Sequence, residues 1–184
     1  MEKRSLRREG FRFWLRPFEE SDGEAVFDAA IESVQRVGAW LDWLTPSYTV
    51  SDSIGWAKNA SDDWGKGANC EFVIIDSLDG SVSGCAGLNH INDLFCNLGY
   101  WVRESKVRQG AAFEAAQLLR EFGHGELGLQ RLEIVIADGN AASRAVAEKL
   151  GAVYEGKQRM RGRIGGRACD AHMYALLAAS QTHD

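Results

Sequence analysis

Several patterns that identify common cofactor and metal sites are missing from this chain of 184 residues. The glycine turn at residues 108–112 has no G-x-G-x-x-G, which argues against a dinucleotide fingerprint there, and no Gly-Lys-Ser or Gly-Lys-Thr occurs, which argues against a phosphate-binding P-loop. The four cysteines are widely spaced, with no C-x-x-C pair and no histidine-rich tract: Cys70, Cys85, Cys96 and Cys169. We therefore expect reduced, mostly buried thiols of a cytoplasmic protein, and neither zinc ligands nor disulfides.

Long apolar runs, internal repeats and low-complexity tracts are also missing. No window approaches the length of a membrane span, and the charged start at residues 1–4 leads into no secretory apolar segment. Hydrophobic residues make up 45% and charged residues 26% of the chain, which are ordinary values for globular proteins. We expect one domain over residues 1–184, located in the cytoplasm and without a membrane partner.

The net charge of −5 hides an uneven distribution. The segment 157–167 contains five basic residues and no acid, so the rest of the chain is strongly acidic: Lys157, Arg159, Arg161, Arg163 and Arg167. The first four alternate with other residues, so a strand would place them on one face. This face is either solvated or a docking surface for an acidic or phosphorylated acceptor. Nucleic-acid binding is not expected, because the chain is acidic and no known module is present.

The spacing of apolar residues predicts an α+β chain with a mixed sheet of about seven strands and helices on both faces. Helices are predicted to begin at Ser21–Asp22, at Ser51 or Asp52, at Gln109 and at Asn140. Strands are predicted at residues 11–16, 71–76, 82–90, 96–102, 132–137, 153–164 and 168–177. The last two strands form a hairpin through Gly165–Gly166.

The segment Arg-Gln-Gly-Ala-Ala-Phe at residues 108–113 is the most informative part of the sequence. A small-residue turn that enters a helix leaves backbone N–H groups unpaired, and the helix dipole favours an anion at that end. Gly110 and the two alanines after it would let phosphate oxygens approach the main chain. A strand, a glycine turn and a helix therefore indicate a binding site for a pyrophosphate, although an ordinary helix start has the same pattern.

Four motifs in order resemble the GNAT acetyltransferase superfamily, and most closely its RimJ/RimL branch of ribosomal-protein N-terminal acetyltransferases. They are Gly-Tyr-Trp at 99–101, Gln-Gly-Ala-Ala-Phe-Glu-Ala at 109–115, Asn-Ala-Ala-Ser at 140–143 and Glu-Lys-Leu-Gly-Ala at 148–152. The similarity runs from about residue 70 to residue 177. It implies the GNAT fold, a twisted sheet with an acetyl-CoA cleft between splayed fourth and fifth strands. It also implies direct acetyl transfer to a primary amine, without an acyl-enzyme.

The resemblance also implies which residues bind acetyl-CoA, through backbone groups at the pyrophosphate and along the pantetheine arm. These residues are Trp101, Val102, Arg108, Gln109, Gly110, Ala111, Ala112, Phe113, Asn140 and Ser143. Asn140 is predicted to be the N-cap of its helix. The Ser143 hydroxyl could bond the local backbone or donate a proton to the leaving CoA thiolate, and the resemblance implies the second role. The Tyr100 side chain is interpreted as part of the core.

The general base is missing from the position where the resemblance places it. The RimL-type pattern has a glutamate seven residues after the Glu-Gly that corresponds to Glu155–Gly156, and this count ends at Gly162. A chain of waters could replace that carboxylate. His90 has a suitable intrinsic pKa, and weaker candidates are Asp93, Glu71 and Glu155. No base is assigned.

The leading acceptor is the α-amine of a protein N-terminus. A small-molecule amine, such as an antibiotic or a polyamine, is the alternative enzymatic function, and a non-catalytic acyl-CoA-binding module is the third. The presence of Ser143 favours an enzyme. No metal is implied, and a homodimer is an expectation from the family alone. Trp40, Trp43 and Tyr48 form either the wall of an acceptor channel or part of the core.

Overall fold

A computed structural model describes residues 3–67 and 69–178. The strands within these ranges are β1 Phe13–Pro17, β2 Cys70–Asp76, β3 Val82–Asn89, β4 Phe95–Val102, β5 Arg131–Ala137, β6 Val153–Ile164 and β7 Arg167–Leu177. The helices within them are α1 Gly23–Glu32, α2 Val34–Val37, α3 Val50–Lys66, α4 Ala111–Gly125 and α5 Ala141–Lys149. The strands predicted from the sequence are confirmed to within two residues at each end.

The seven strands of the described ranges form one mixed sheet in the order β1-β2-β3-β4-β5-β7-β6. Strands β4 and β5 are parallel, and their pairing covers residues 95–97 and 131–133. Beyond those pairs the two strands separate, so residues 98–102 and 134–137 border a gap in the sheet. The splay predicted between the fourth and fifth strands is therefore confirmed.

Helices cover both sides of the sheet, as predicted, and the alternation along β2 shows how. Phe72 packs against Phe122 of α4, with ring centroids 5.7 Å apart. The next residue, Val73, lies in a separate core with Ala29 of α1 and Ala57 of α3. Successive strand residues point to opposite sides, so each side gains its own apolar contacts. We call the side covered by α4 and α5 the α4 face, and the side covered by α1 and α3 the α1 face.

The N-terminal ends of three helices differ from the prediction. The helix predicted from Gln109 begins at Ala111, with Gly110 as its N-cap. Thr49 is the N-cap of α3, since its hydroxyl accepts a hydrogen bond from the Asp52 N–H at 3.2 Å. The Asp52 carboxylate accepts in return from the Thr49 N–H at 2.9 Å, so Asp52 is the third helical residue of a capping box and does not begin the helix. At α1, the Asp22 carboxylate pairs with Arg16 and caps no backbone group of that helix.

The cysteines are mostly buried, as the sequence predicted. Cys70, Cys85 and Cys96 are buried, Cys169 is half-buried, and all four are free thiols. In the described ranges, no cluster of three His, Cys, Asp or Glu side chains is arranged to hold a metal ion. No helix in those ranges combines the length and the apolar character that crossing a membrane would require.

Strand β6 is irregular at two points. Its pairing with β7 shifts register between Tyr154 and Gly156, and again between Gln158 and Gly162. Within the second irregularity, Met160 has a positive φ of 52°, which lies outside the extended conformation. Because side chains alternate between faces only along an extended backbone, the regular alternation predicted for this strand does not continue across Met160.

The basic residues of β6 therefore lack the uniform arrangement that the sequence predicted. Lys157 donates to the Asp138 carboxylate, with 2.6 Å between Nζ and Oδ2. Arg159, Arg161 and Arg163 are exposed, and in the described part of the chain no ion pair involves them. A docking role for these three arginines stays a prediction.

Candidate active site

The gap between β4 and β5 opens into a cleft of about 840 Å³. This volume is within the range of small-molecule and cofactor pockets. Nine of the ten predicted cofactor residues line the cleft: Trp101, Val102, Arg108, Gly110, Ala111, Ala112, Phe113, Asn140 and Ser143. Gln109 does not line it, and its side-chain amide donates to the Ser105 carbonyl at 2.8 Å. Residues spread over 43 positions of the chain, from Trp101 to Ser143, thus meet in one place.

The start of α4 presents backbone donors to one end of this cleft. Gly110 precedes the helix with a φ of 99°, a conformation that glycine adopts without strain. No described side chain caps the helix at this position. The N–H groups of Ala111, Ala112 and Phe113 therefore lack helical partners, as the first turn of any helix does. The arrangement fits an anionic group at this end of the cleft.

A buried carboxylate fixes the loop that leads to this helix start. Asp76 at the end of β2 has a fully buried side chain, which pairs with Arg12 and accepts from Lys106 at 2.7 Å. The hydrogen bonds from Arg12 and Lys106 hold the pKa of Asp76 well below its usual range, against the effect of burial. Lys106 also pairs with the exposed Asp79. The cluster ties the loop between β4 and α4 to the opposite half of the sheet.

We expect Asp76→Asn to lower the free energy of unfolding by about 2–3 kcal/mol at pH 7, below the 3–5 kcal/mol typical of fully buried pairs because Arg12 reaches solvent. A lowered folded-state pKa contributes stability above the ordinary Asp pKa of about 3.9, and this contribution is lost as pH falls. Urea unfolding should therefore show the difference from the wild type narrowing below about pH 4. Asp79→Asn is the matched control, with an expected loss below about 1 kcal/mol. Equal losses in the two variants would contradict a special role for Asp76.

Ser143 and Tyr100 meet on the α4 face of the cleft. The Asn140 side-chain oxygen accepts from the Ser143 N–H at 3.1 Å, which confirms Asn140 as the N-cap. The Ser143 hydroxyl lies 3.0 Å from the Tyr100 hydroxyl. Burial raises the pKa of Tyr100 to about 12, so its hydroxyl keeps a proton near neutral pH. The interpretation of Tyr100 as core alone is incomplete, since it also lines the cleft and contacts Ser143.

The opposite half of the cleft lies on the α1 face and has aromatic walls. The Trp43 ring packs edge-on against Trp101 at 5.9 Å and against Tyr48 at 5.2 Å. Trp40 and Trp56 line the same region, and the Trp43 side chain reaches solvent with 39% of its surface exposed. Trp40, Trp43 and Tyr48 all line the cleft, as the channel-wall alternative requires, and Tyr48 also packs against a core cluster of Ala30, Val37 and Leu44.

The position predicted for a general base does not contribute to the cleft. Gly162 pairs with Cys169 and is not among the lining residues, and a Cβ atom there would lie 2.9 Å from the Cys169 Sγ. His90, the preferred substitute, is exposed and does not line the cleft either. Glu155 pairs with Arg131. Of the four carboxyl and imidazole groups considered from the sequence, Glu71 alone lines the cleft.

Comparisons with known proteins agree with this geometry. Residues 12–153 match the family model described as an acetyltransferase (GNAT) domain. A Bacillus subtilis protein named ribosomal N-acetyltransferase YdaF is 31% identical over 89% of this chain and 90% of its own length. A GCN5-related N-acetyltransferase from Brucella melitensis is 26% identical, with a TM-score of 0.81 over 96% of this chain and 80% of that one. RimL, a ribosomal L7/L12 α-N-protein acetyltransferase solved with coenzyme A, has a TM-score of 0.86 at 21% identity, covering 94% and 98% of the two chains.

Proposed function

Since the chain belongs to the GNAT acetyltransferase family and is an acetyl-CoA-dependent N-acetyltransferase, we propose that its acceptor is the α-amine at the N-terminus of a protein. The observation that carries this proposal is the aromatic half of the cleft. It continues from the strand gap onto the α1 face and opens to solvent at Trp43. An extended chain end can enter such a channel and bring its terminal amine to the gap. The name of the Bacillus subtilis relative, a ribosomal N-acetyltransferase, supports an acceptor that is a protein and not a small molecule.

In this proposal, different backbone groups bind the pyrophosphate and the pantetheine arm of acetyl-CoA. Backbone N–H groups at residues 111–113 bind the pyrophosphate, because they lack other partners and lie at the positive end of a helix dipole. The backbone of Trp101 and Val102 borders the gap where β4 leaves β5, so it offers unpaired groups to the pantetheine arm. When bound, acetyl-CoA supplies the activated acetyl carbonyl. The chain supplies positioning, which is a large part of the rate in such reactions.

Ser143 is the proton donor to the sulfur in this scheme. It lies at the start of α5, where the helix dipole favours a developing negative charge. The Tyr100 hydroxyl can replace the proton that Ser143 gives up, because the two oxygens are 3.0 Å apart. Direct attack on the thioester needs no enzyme nucleophile. The buried thiol of Cys85 agrees with this, since burial raises its pKa well above the usual value.

The acceptor class is tested with two matched peptides, one with a free N-terminus and blocked lysine, the other with a blocked N-terminus and one free lysine. An α-amine has a pKa near 8 and a lysine a pKa near 10.4, so about 10²-fold more α-amine is neutral at pH 7.5. We expect kcat/KM for the first peptide to exceed that for the second by about this factor, as followed by release of the CoA thiol. A preference for lysine would contradict the proposed acceptor. Turnover of small amines without turnover of either peptide would contradict it too.

A further inference from the structure

Glu71 lies in a row of three residues that crosses the sheet on the α1 face. It is paired with Gly87 of β3, and Gly87 is paired with Gly99 of β4. A Cβ atom at Gly87 would overlap the Glu71 Oε2, so the carboxylate lies directly over that glycine. The side chain therefore extends from β2 across β3 towards β4. Because the next position in the row is also a glycine, no side chain separates the carboxylate from the strand that borders the gap.

Two amide side chains complete this polar patch in an otherwise apolar wall. Asn97 donates to Asn89 at 3.0 Å, and the Nδ2 atoms of both lie 3.8 Å from the place of a Cβ at Gly99. The Asn89 side chain in turn hydrogen-bonds Glu71. No ion pair within residues 3–67 and 69–178 involves Glu71, and it is half-buried where it lines the cleft. A carboxylate without a cation, hydrogen-bonded by the Asn89 side chain and open to the cleft, is available to a substrate.

The charges around Glu71 also suit proton transfer near neutral pH. Burial raises the pKa of the Glu71 carboxyl to about 7, while the hydrogen bond from Asn89 acts in the opposite direction. The titratable groups that feel its charge are the thiols of Cys70 and Cys85, whose own pKa values are raised mainly by burial. From α1 and α3, the lining residues Val26 and Trp56 are uncharged.

Cations elsewhere in the cleft have other partners or lie at its cofactor end. Arg36 pairs with Glu104, and Lys106 with Asp76 and Asp79. Lys149 stacks over the Phe113 ring, 4.2 Å from its centroid, beside the start of α4. A general base works best when its pKa is near the operating pH. None of these cations pairs with Glu71, so none of them lowers the pKa of its carboxyl group.

We propose that Glu71 is the general base that accepts the proton from the acceptor amine. The amine nitrogen forms a bond to the thioester carbonyl carbon, its proton passes to the Glu71 carboxylate directly or through one water, and the carbon–sulfur bond breaks. The sulfur then takes a proton from Ser143. Glu71 lies on the α1 face and Ser143 on the α4 face. The two proton transfers therefore occur on opposite sides of the sheet, with the acetyl group in the gap between them.

The assignment rests on the N-acetyltransferase activity but not on the proposed class of amine. It is tested with whichever primary amine the wild-type protein acetylates fastest, so failure of the α-amine proposal leaves this experiment intact. In Glu71→Gln we expect kcat at pH 6.5 to fall about 10²- to 10³-fold, with unchanged acetyl-CoA affinity by calorimetry. The loss should shrink as the pH approaches the pKa of that amine, because solvent then deprotonates the amine without help. Glu155→Gln is the matched control and should keep wild-type kinetics.

A second variant separates catalysis from folding. Gly87→Ala keeps the carboxyl group but pushes it from its place, since the new Cβ meets the flexible end of the Glu71 side chain. This variant should also lose kcat and keep acetyl-CoA affinity. Wild-type kcat and an unchanged pH profile in Glu71→Gln would overturn the assignment. A fall in acetyl-CoA affinity as large as the fall in rate would overturn it too, because Glu71 would then act through the cofactor site.

Discussion

Replacing Ser143 by alanine is expected to lower kcat about 10²- to 10³-fold while acetyl-CoA still binds with wild-type affinity. The N-cap bond of α5 uses the backbone N–H of residue 143, so it survives the substitution. Alanine is also a good helix former. The change therefore removes the hydroxyl that faces Tyr100 and leaves the fold of this helix intact. Steady-state kinetics by thiol release, with calorimetry for acetyl-CoA, measures both quantities.

Tyr100→Phe is the matched control for this prediction. It removes the same hydrogen bond from the other side and leaves the Ser143 hydroxyl in place. If Ser143 donates the proton, this variant should lose less activity than Ser143→Ala, because water can restore the serine proton. A larger loss in Tyr100→Phe would transfer the donor role to the tyrosine. Wild-type kcat in Ser143→Ala would mean that the serine has only a structural role at the start of α5.

Ala112→Asp is expected to weaken acetyl-CoA binding about 10²-fold. The substitution puts a carboxylate beside the backbone donors at the start of α4, where the proposed pyrophosphate binds. At a separation of about 5 Å and an effective dielectric constant near 20, two unit charges repel by about 3 kcal/mol. An acidic residue in a first turn otherwise stabilises a helix. The affinity should thus fall while thermal stability holds or rises, which calorimetry and thermal unfolding can measure.

Ala112→Asn distinguishes charge from size at this position. The asparagine side chain has nearly the same shape without the charge, so it should cost much less affinity than aspartate. Raising the salt concentration should reduce the difference between the two variants, since screening weakens repulsion between exposed charges. Equal losses in both variants would mean that the side chain blocks the cleft sterically. Wild-type affinity in Ala112→Asp would place the pyrophosphate elsewhere.

The cofactor end of the cleft could be predicted because its signals are local in the chain. The glycine turn at Gly110 and the cap at Asn140 are set by a few neighbouring residues, and both have the conformations that their sequences favour. The strand gap is different. The resemblance supplied it, since no periodicity shows where two parallel strands cease to pair.

The base could not be found by counting along one strand. The count to Gly162 assumes a regular β6, and the two register shifts of that strand break the assumption. Glu71 is defined instead by pairings among three strands, which bring Gly87 and Gly99 alongside it. Glu71 and Gly99 are 28 positions apart in the chain, so no short motif contains all three residues. The contact between Tyr100 and Ser143 could not be predicted for a similar reason, because the two residues lie on a strand and a helix that are far apart in the chain.

The irregular form of β6 has a consequence for the behaviour of the protein at high concentration. In the described sheet β6 is one edge, and a long open edge strand invites pairing with other chains and aggregation. The register shifts and the positive φ of Met160 prevent an unbroken ladder along it, and its exposed arginines repel a second copy. The opposite edge, β1, has five residues and ends at Pro17, which has no N–H to donate. Neither border of the sheet thus offers a continuous template for fibril growth.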